Sequence, residues 1–232
     1  MSNRSPAPTV ARRRLLGGFT ALAAARPVSA RAQGRDVDRA LIAAAASGDV
    51  GRVVVLLREG ADVDARDARG RTALLVATRA NRPAVARVLI AAGADVNAQD
   101  DQRDSAFLYA GAEGLLEILE LTLAADADLR STNRYGGTAL IPAAHHGHVE
   151  TVRRLLATAI DVDHVNNLGW TALLEAVILG DGGPAHTRIV ELLLAAKADP
   201  NLADRDGVTP IAHARRRGYA AITALLERAG AR

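Results

Sequence analysis

Three histidines, His145, His146 and His148, fall within four residues inside the stretch GGTALIPAAHHGHVETVRRLL. Imidazole is both a common metal ligand and a general base near neutral pH, so this cluster is the first candidate for chemistry. A zinc site needs three or four ligands converging on one point. Neighbouring helical residues diverge by roughly 100°, so His145 and His146 are poorly placed to hold one ion together. His186 and His213 are the other imidazoles that could join them. Glu113, Glu150 and Glu175 are expected on helix faces as solvated charges. No nucleophile elbow, phosphate loop, dinucleotide fingerprint or zinc-protease helix occurs. GDGGP at 180–184 is glycine-rich but lacks a preceding strand and a following Lys-Ser/Thr. The chain has no cysteine, which excludes disulfides and thiolate chemistry. These observations assign no catalytic, cofactor-binding or metal-binding residue.

Composition and period indicate the elements that carry these side chains. The 232 residues are 49% hydrophobic and 24% charged, a usual globular balance and enough chain to bury a core. Only 3% are aromatic, so a core of Ala, Leu and Val points to small, closely packed helices. The formal charge is +3, yet residues 1–32 hold six arginines and no acid, leaving the remainder at −3. The basic character belongs to that leader, and nucleic acid is not expected as a partner.

Thr72-Ala73-Leu74, Ser105-Ala106-Phe107, Thr138-Ala139-Leu140 and Thr171-Ala172-Leu173 recur every 33 residues, and Thr209-Pro210-Ile211 follows after 38. A second element keeps step: GADVDA at 60–65, GADVNA at 93–98, DADLRS at 126–131, AIDVDH at 159–164 and KADPNL at 197–202. Several elements sharing one period mark a repeat array. Over residues 38–232 the pattern resembles the ankyrin repeat, most closely in GRTALLVATRANRPAVARVLIAAGADVNAQD and GVTPIAHARRRGYAAITALLERAG. The resemblance implies an all-α solenoid of helix-turn-helix units joined by β-hairpin-like loops, about six repeats including two caps. The repeats run at about 38–67, 68–100, 101–133, 134–166, 167–204 and 205–232.

Local chemistry agrees with this frame. Thr72, Ser105, Thr138, Thr171 and Thr209 are each expected to cap a first helix by accepting a backbone N–H. Second helices gather apolar residues on one face, as at Val53/Leu56/Leu57 and Val190/Leu193/Leu194. Gly60, Gly93 and Gly230 suit left-handed helix ends, where Asp126, Ala159 and Lys197 stand in the other units. Pro142 removes the N–H that the Thr138 carbonyl would accept, so a displaced fourth unit is expected. The insertion at 180–187 reads as a lengthened inter-helix turn, or alternatively as a contact loop of Asp181, Pro184 and His186. The resemblance places Gly147-His148 at the turn between two helices, which gives His148 a structural role.

The leader VARRRLLGGFTALAAARPVSARAQ has the three parts of an export signal. Arg12-Arg13-Arg14-Leu15-Leu16 resembles the twin-arginine signal of bacteria, with Ala11 and Leu15 departing from the usual residues. The apolar stretch Leu15–Ala25 is too short to span a bilayer, so no stable membrane anchor is expected. Residues 1–32 are read as a cleaved signal peptide and 33–37 as a short linker. One lysine against 28 arginines suggests a GC-rich genome, and the expected location is a bacterial periplasm.

Ankyrin arrays usually bind protein through hairpin tips and the face of their first helices. By position the resemblance implies tips at Arg69, Arg71, Gln102, Arg103, Arg134, Tyr135, Leu168, Trp170, Arg205 and Val208. It implies first-helix contacts at Val76, Arg79, Tyr109, Glu113, His145, His146, Glu175, Leu179, His213 and Arg216. Aromatics and arginine are the usual anchors of such interfaces. The expected function is a monomeric, non-catalytic protein-binding module without cofactor. Two alternatives are an envelope enzyme or metal carrier using His145, His146, His186 and His213, and a cytoplasmic scaffold whose N-terminus is disordered.

Overall fold

The threonine that opens each unit sets where its first helix starts. In the computed structural model, which describes residues 28–232, Thr72 Oγ1 accepts the Leu75 N–H at 3.2 Å. Ser105 Oγ takes the Leu108 N–H and Thr171 Oγ1 the Leu174 N–H at the same distance. The helices are α1 (Val28–Ser47), α2 (Val50–Arg58), α3 (Ala73–Arg79), α4 (Pro83–Ala91), α5 (Ala106–Ala112) and α6 (Leu116–Leu123). They continue as α7 (Leu140–His145), α8 (Val149–Leu156), α9 (Ala172–Ile178), α10 (Pro184–Ala195), α11 (Pro210–Arg217) and α12 (Ala220–Arg228). No strand occurs among the described residues.

Odd-numbered helices stack on one another in one layer and even-numbered helices in a second. First helices are buried nearly all round because they also pack on their own second helix. In α3 every residue from Ala73 to Thr78 is buried. The core runs the length of the stack through Leu41, Leu74, Phe107, Leu140, Leu173 and Ile211. Each fully buried leucine contributes roughly 1.5–3 kcal/mol.

Each loop between units is closed by one Asp or Asn. Its Oδ1 accepts two backbone N–H groups, two and four residues on. Asp67 holds Arg69 and Arg71, Asp100 holds Gln102 and Asp104, and Asn133 holds Tyr135 and Gly137. Asn166 holds Leu168 and Trp170, and Asp204 holds Asp206 and Val208. Between units, Asp64 Oδ1 accepts the Asp95 N–H and Asn97 Oδ1 the Asp128 N–H. Asp163 Oδ1 accepts the Asp199 N–H, and Asn201 Oδ1 the Arg232 N–H. These short side chains satisfy the turns that the helices leave open.

Four expectations need correction. Thr138 does not cap: α7 begins at Leu140, and the buried Thr138 hydroxyl has no hydrogen-bond partner. In the other units the capping residue's carbonyl takes the N–H four residues on, as Val76 to Thr72. Pro142 has no such N–H, so the Thr138 carbonyl takes the Ile141 N–H at 3.3 Å and removes the hydroxyl's donor. Thr209 likewise makes no side-chain cap; its hydroxyl meets the Arg232 carbonyl at 3.4 Å. At the end of α8, Ala159 avoids the left-handed conformation that Asp126 and Lys197 adopt, and the Thr158 hydroxyl accepts the Ile160 N–H instead. Residues 33–37, expected as a linker, continue the alanine-rich α1, so the anticipated cleavage after Ala32 falls inside this helix. Residues 1–27 of the anticipated signal peptide lie outside the described residues.

The inserted residues of the fifth unit form a turn around Gly182 and extend α10 to 12 residues. Gly182 has φ +70° and lies under the Tyr219 ring, where a methyl group would stand 2.4 Å from the ring edge. His148 lies over Gly114 in the same way. His186 is buried, its Nε2 donating to the His145 carbonyl and its Nδ1 2.8 Å from Asp181 Oδ1.

The unit-four irregularity gives a stability test. Thr171→Val should cost about 1 kcal/mol through loss of its cap. Thr138→Val should change stability by less than about 0.5 kcal/mol, because that hydroxyl is already without a partner. Urea denaturation of both variants checks this; equal losses would show that the two hydroxyls play the same part.

Candidate functional site

The capped first helices end on one side of the stack, beside the hairpin tips, and enclose a groove of about 490 Å³. The ends of α3, α5, α7 and α9 bring Arg79, Tyr109, Glu113, His145, His146, Glu175 and Leu179 to it. Hairpins add Asp104, Asn133, Arg134, Tyr135, Gly137, Asn166 and Leu168, and Ala112, Ile141 and Pro142 complete the lining. Arg79 lies over the Tyr109 ring at 4.5 Å and reaches Asp104 Oδ2 at 3.4 Å. Arg134 lies over the Tyr135 ring at 4.6 Å. Burial and the neighbouring Asp100 push the Asp104 carboxyl above its ordinary range, against the pull of Arg79.

The other anticipated contact residues lie elsewhere. Arg69 and Arg71 line a smaller depression of about 350 Å³ with Arg79, Asp100, Asp101 and Gln102, and Arg71 is drawn down onto Asp67 at 2.6 Å. Arg103 sits at a left-handed tip residue near Thr132. Trp170 is half-buried outside the groove, its backbone N–H bound to Asn166 Oδ1. Arg205 folds over Gly169 toward the Asn167 carbonyl, and Arg216 is exposed on α11. His213 is paired with Asp204 at 2.7 Å.

Glu175 overturns the expectation of a solvated helix charge. It is only 7% exposed, and burial pushes its carboxyl up to about 7 despite the hydrogen bond it accepts from Asn166 Nδ2 at 2.8 Å. Its Oε2 stands 3.9 Å from His145 Nδ1, beyond hydrogen-bond range. Burial, with His146 and His186 nearby, holds His145 below the usual imidazole range. His146 Nδ1 meets the Ala112 carbonyl at 2.7 Å, and its ring centroid lies 4.6 Å from that of His145. Among the described residues no three His, Asp or Glu side chains converge to hold a metal.

The sequence signal for the Glu175 site is a nine-residue spacing. Asn166 and Glu175 join hairpin to first helix within unit five, and Asp204 and His213 do so in unit six. Both pairs put the turn-closing Asp or Asn opposite the fourth residue after the threonine that opens the unit, Thr171 or Thr209. A search among the histidines alone passes over this relation.

Glu175 also dictates a pH dependence. A carboxyl raised from 4.5 to about 7 by folding favours the folded state while neutral. That contribution is full below pH 4.5 and is lost as pH rises through about 7. Glu175→Gln should match the parent chain near pH 4.5 and exceed its stability at pH 8 by about 2–3 kcal/mol. Denaturation midpoints of both chains across this range provide the check, and parallel curves would contradict the assignment.

The family model for ankyrin repeats (3 copies) matches residues 15–100 and 107–204. A crystal structure of an ankyrin repeat domain from Acinetobacter baumannii AYE superposes with a TM-score of 0.81 at 60% identity, covering 83% of this chain and 98% of that one. The crystal structure of EF0377, an ankyrin repeat protein, gives a TM-score of 0.80 at 41% identity, covering 82% and 98%. YahD, an ankyrin repeat protein of Escherichia coli (strain K12), is 49% identical over 57 residues, which are 25% of this chain and 28% of its own length. With the period, the stacked helix pairs and a match across most of its length, the chain belongs to the ankyrin-repeat family.

Proposed function

We propose that this chain is a non-catalytic, monomeric protein-binding module that works in a bacterial periplasm, holding its partner against the first-helix groove. The groove carries the reading: it gathers two arginines stacked on two tyrosines, with Leu168 and Leu179 exposed beside them. Such side chains supply large contact area at low entropic cost and anchor protein interfaces. Export rests on the arginine-rich, acid-free leader. Among the described residues no helix is long and apolar enough to cross a membrane.

One observation favours a second reading, a small-ligand or catalytic site. Glu175 and His145 face each other at 3.9 Å with both protonation equilibria shifted by burial, as acid–base pairs often are. The described groove has no nucleophile or metal cluster to complete that chemistry.

Periplasmic extract passed over the chain and over a Tyr109→Ala/Tyr135→Ala variant tests the main reading. The expected result is a protein retained by the first and at least about tenfold depleted on the second, with both baits folded. Equal retention would move the interface elsewhere, and retention of nothing would favour the ligand reading. The native product should appear in the periplasmic fraction with its N-terminus near Gln33; recovery of the whole leader in the cytoplasm would refute export.

A further inference from the structure

One end of the groove is acidic and lacks a cation. Glu175 is buried, its Oε1 taken by Asn166, while its Oε2 meets no hydrogen-bond donor among the described residues. Among the described residues no arginine or lysine approaches it within ion-pair distance. The helices packed on α9 do not supply one: on α10, Arg188 pairs with Glu191 and His186 with Asp181. From α7 come His145 and His146, the first held toward its neutral form by burial. On α11, His213 is tied to Asp204 and Arg215 to Glu227 at 2.8 Å, while Arg216 and Arg217 are exposed without reaching Glu175. The groove's own arginines are engaged at the far side, Arg79 with Tyr109 and Asp104, Arg134 with Tyr135. Glu113 lines the same groove and takes no ion pair among the described residues.

A carboxylate withdrawn from water interacts strongly with a cation that reaches it, and leaving it unpaired is costly. Protonation relieves that cost in the free chain, and a cation arriving from outside would relieve it in a complex. Building on the protein-binding reading above, we propose that Glu175 receives a basic side chain, arginine or lysine, that the partner inserts at this end of the groove. The incoming N–H groups would donate to Oε2, with Asn166 keeping Oε1 in place. Linkage requires that the inserted cation favour the ionised carboxyl, so binding releases a proton near neutral pH.

The test uses short peptides as probes on the full chain, followed by NMR of the Asn166 side-chain amide and the Glu175 carboxyl carbon. The probes are acetyl-Gly-Arg-Gly-amide, its lysine and citrulline counterparts, and acetyl-Gly-Glu-Gly-amide. The arginine or lysine peptide should shift both signals and lower the Glu175 midpoint from about 7 by roughly one unit or more. It should bind Glu175→Gln at least about tenfold more weakly. Gln keeps the oxygen that Asn166 bonds, so this variant retains the fold, and dispersed amide signals would verify it. Equal binding to Glu175→Gln, equal binding of citrulline, preference for the acidic peptide through Arg79 and Arg134, or unmoved signals at the highest peptide concentration would each overturn the proposal. If the peptides fail while a captured protein still depends on Tyr109 and Tyr135, the basic-side-chain site falls and the concave interface stands. If that dependence also fails, both fall.

Discussion

Helices of six to nine residues, such as α3 to α8, are too short to persist alone in water, where even favourable sequences need about 12–15 residues. Each unit therefore exists only because its neighbours cover its apolar faces. Register between units becomes the controlling variable. The Asp and Asn ladder sets it: one oxygen closes a turn within a unit, and another reaches the backbone of the next. With register fixed, Leu74, Phe107, Leu140 and Leu173 fall into one continuous core and the ends of the first helices line up as one wall.

Most of that frame was legible in the residues. Thr72, Ser105 and Thr171 cap as their spacing required, because capping depends on a few adjacent backbone groups. What escaped depends on competition or on contacts between distant parts of the chain. At Thr138 the carbonyl and the hydroxyl compete for one N–H once Pro142 removes another. Ala159 gives way to a hydroxyl one residue earlier, a substitution visible only once the backbone is placed. The first helix also runs through residues 33–37, Gln-Gly-Arg-Asp-Val, although Gly34 disfavours a helix there.

The groove shows the same division. Arg79, Tyr109, Arg134, Tyr135 and Leu168 line it together. Arg205 and His213 do not, because each side chain finds a partner in a neighbouring or its own hairpin, and Trp170 also lies outside it. Glu175 departs from the expected solvated face because helical periodicity reports only a face, whereas its burial comes from the adjoining hairpin and the helices on either side. The histidines that first drew attention are shared between duties: His186 and His148 cover turn glycines, and only His145 and His146 line the groove.

The misfit of Pro142 has a mechanical side. In a linear array whose stability is a sum of neighbour terms, the whole comes apart first at its weakest joint. Unit four has the shortest helix, an unbonded buried hydroxyl and an improvised helix end, and it lies in the middle of the chain. The groove spans this fault line, resting on units three and five as well. A molecule seated there acts as a splint, coupling occupancy of the groove to the integrity of the entire rod.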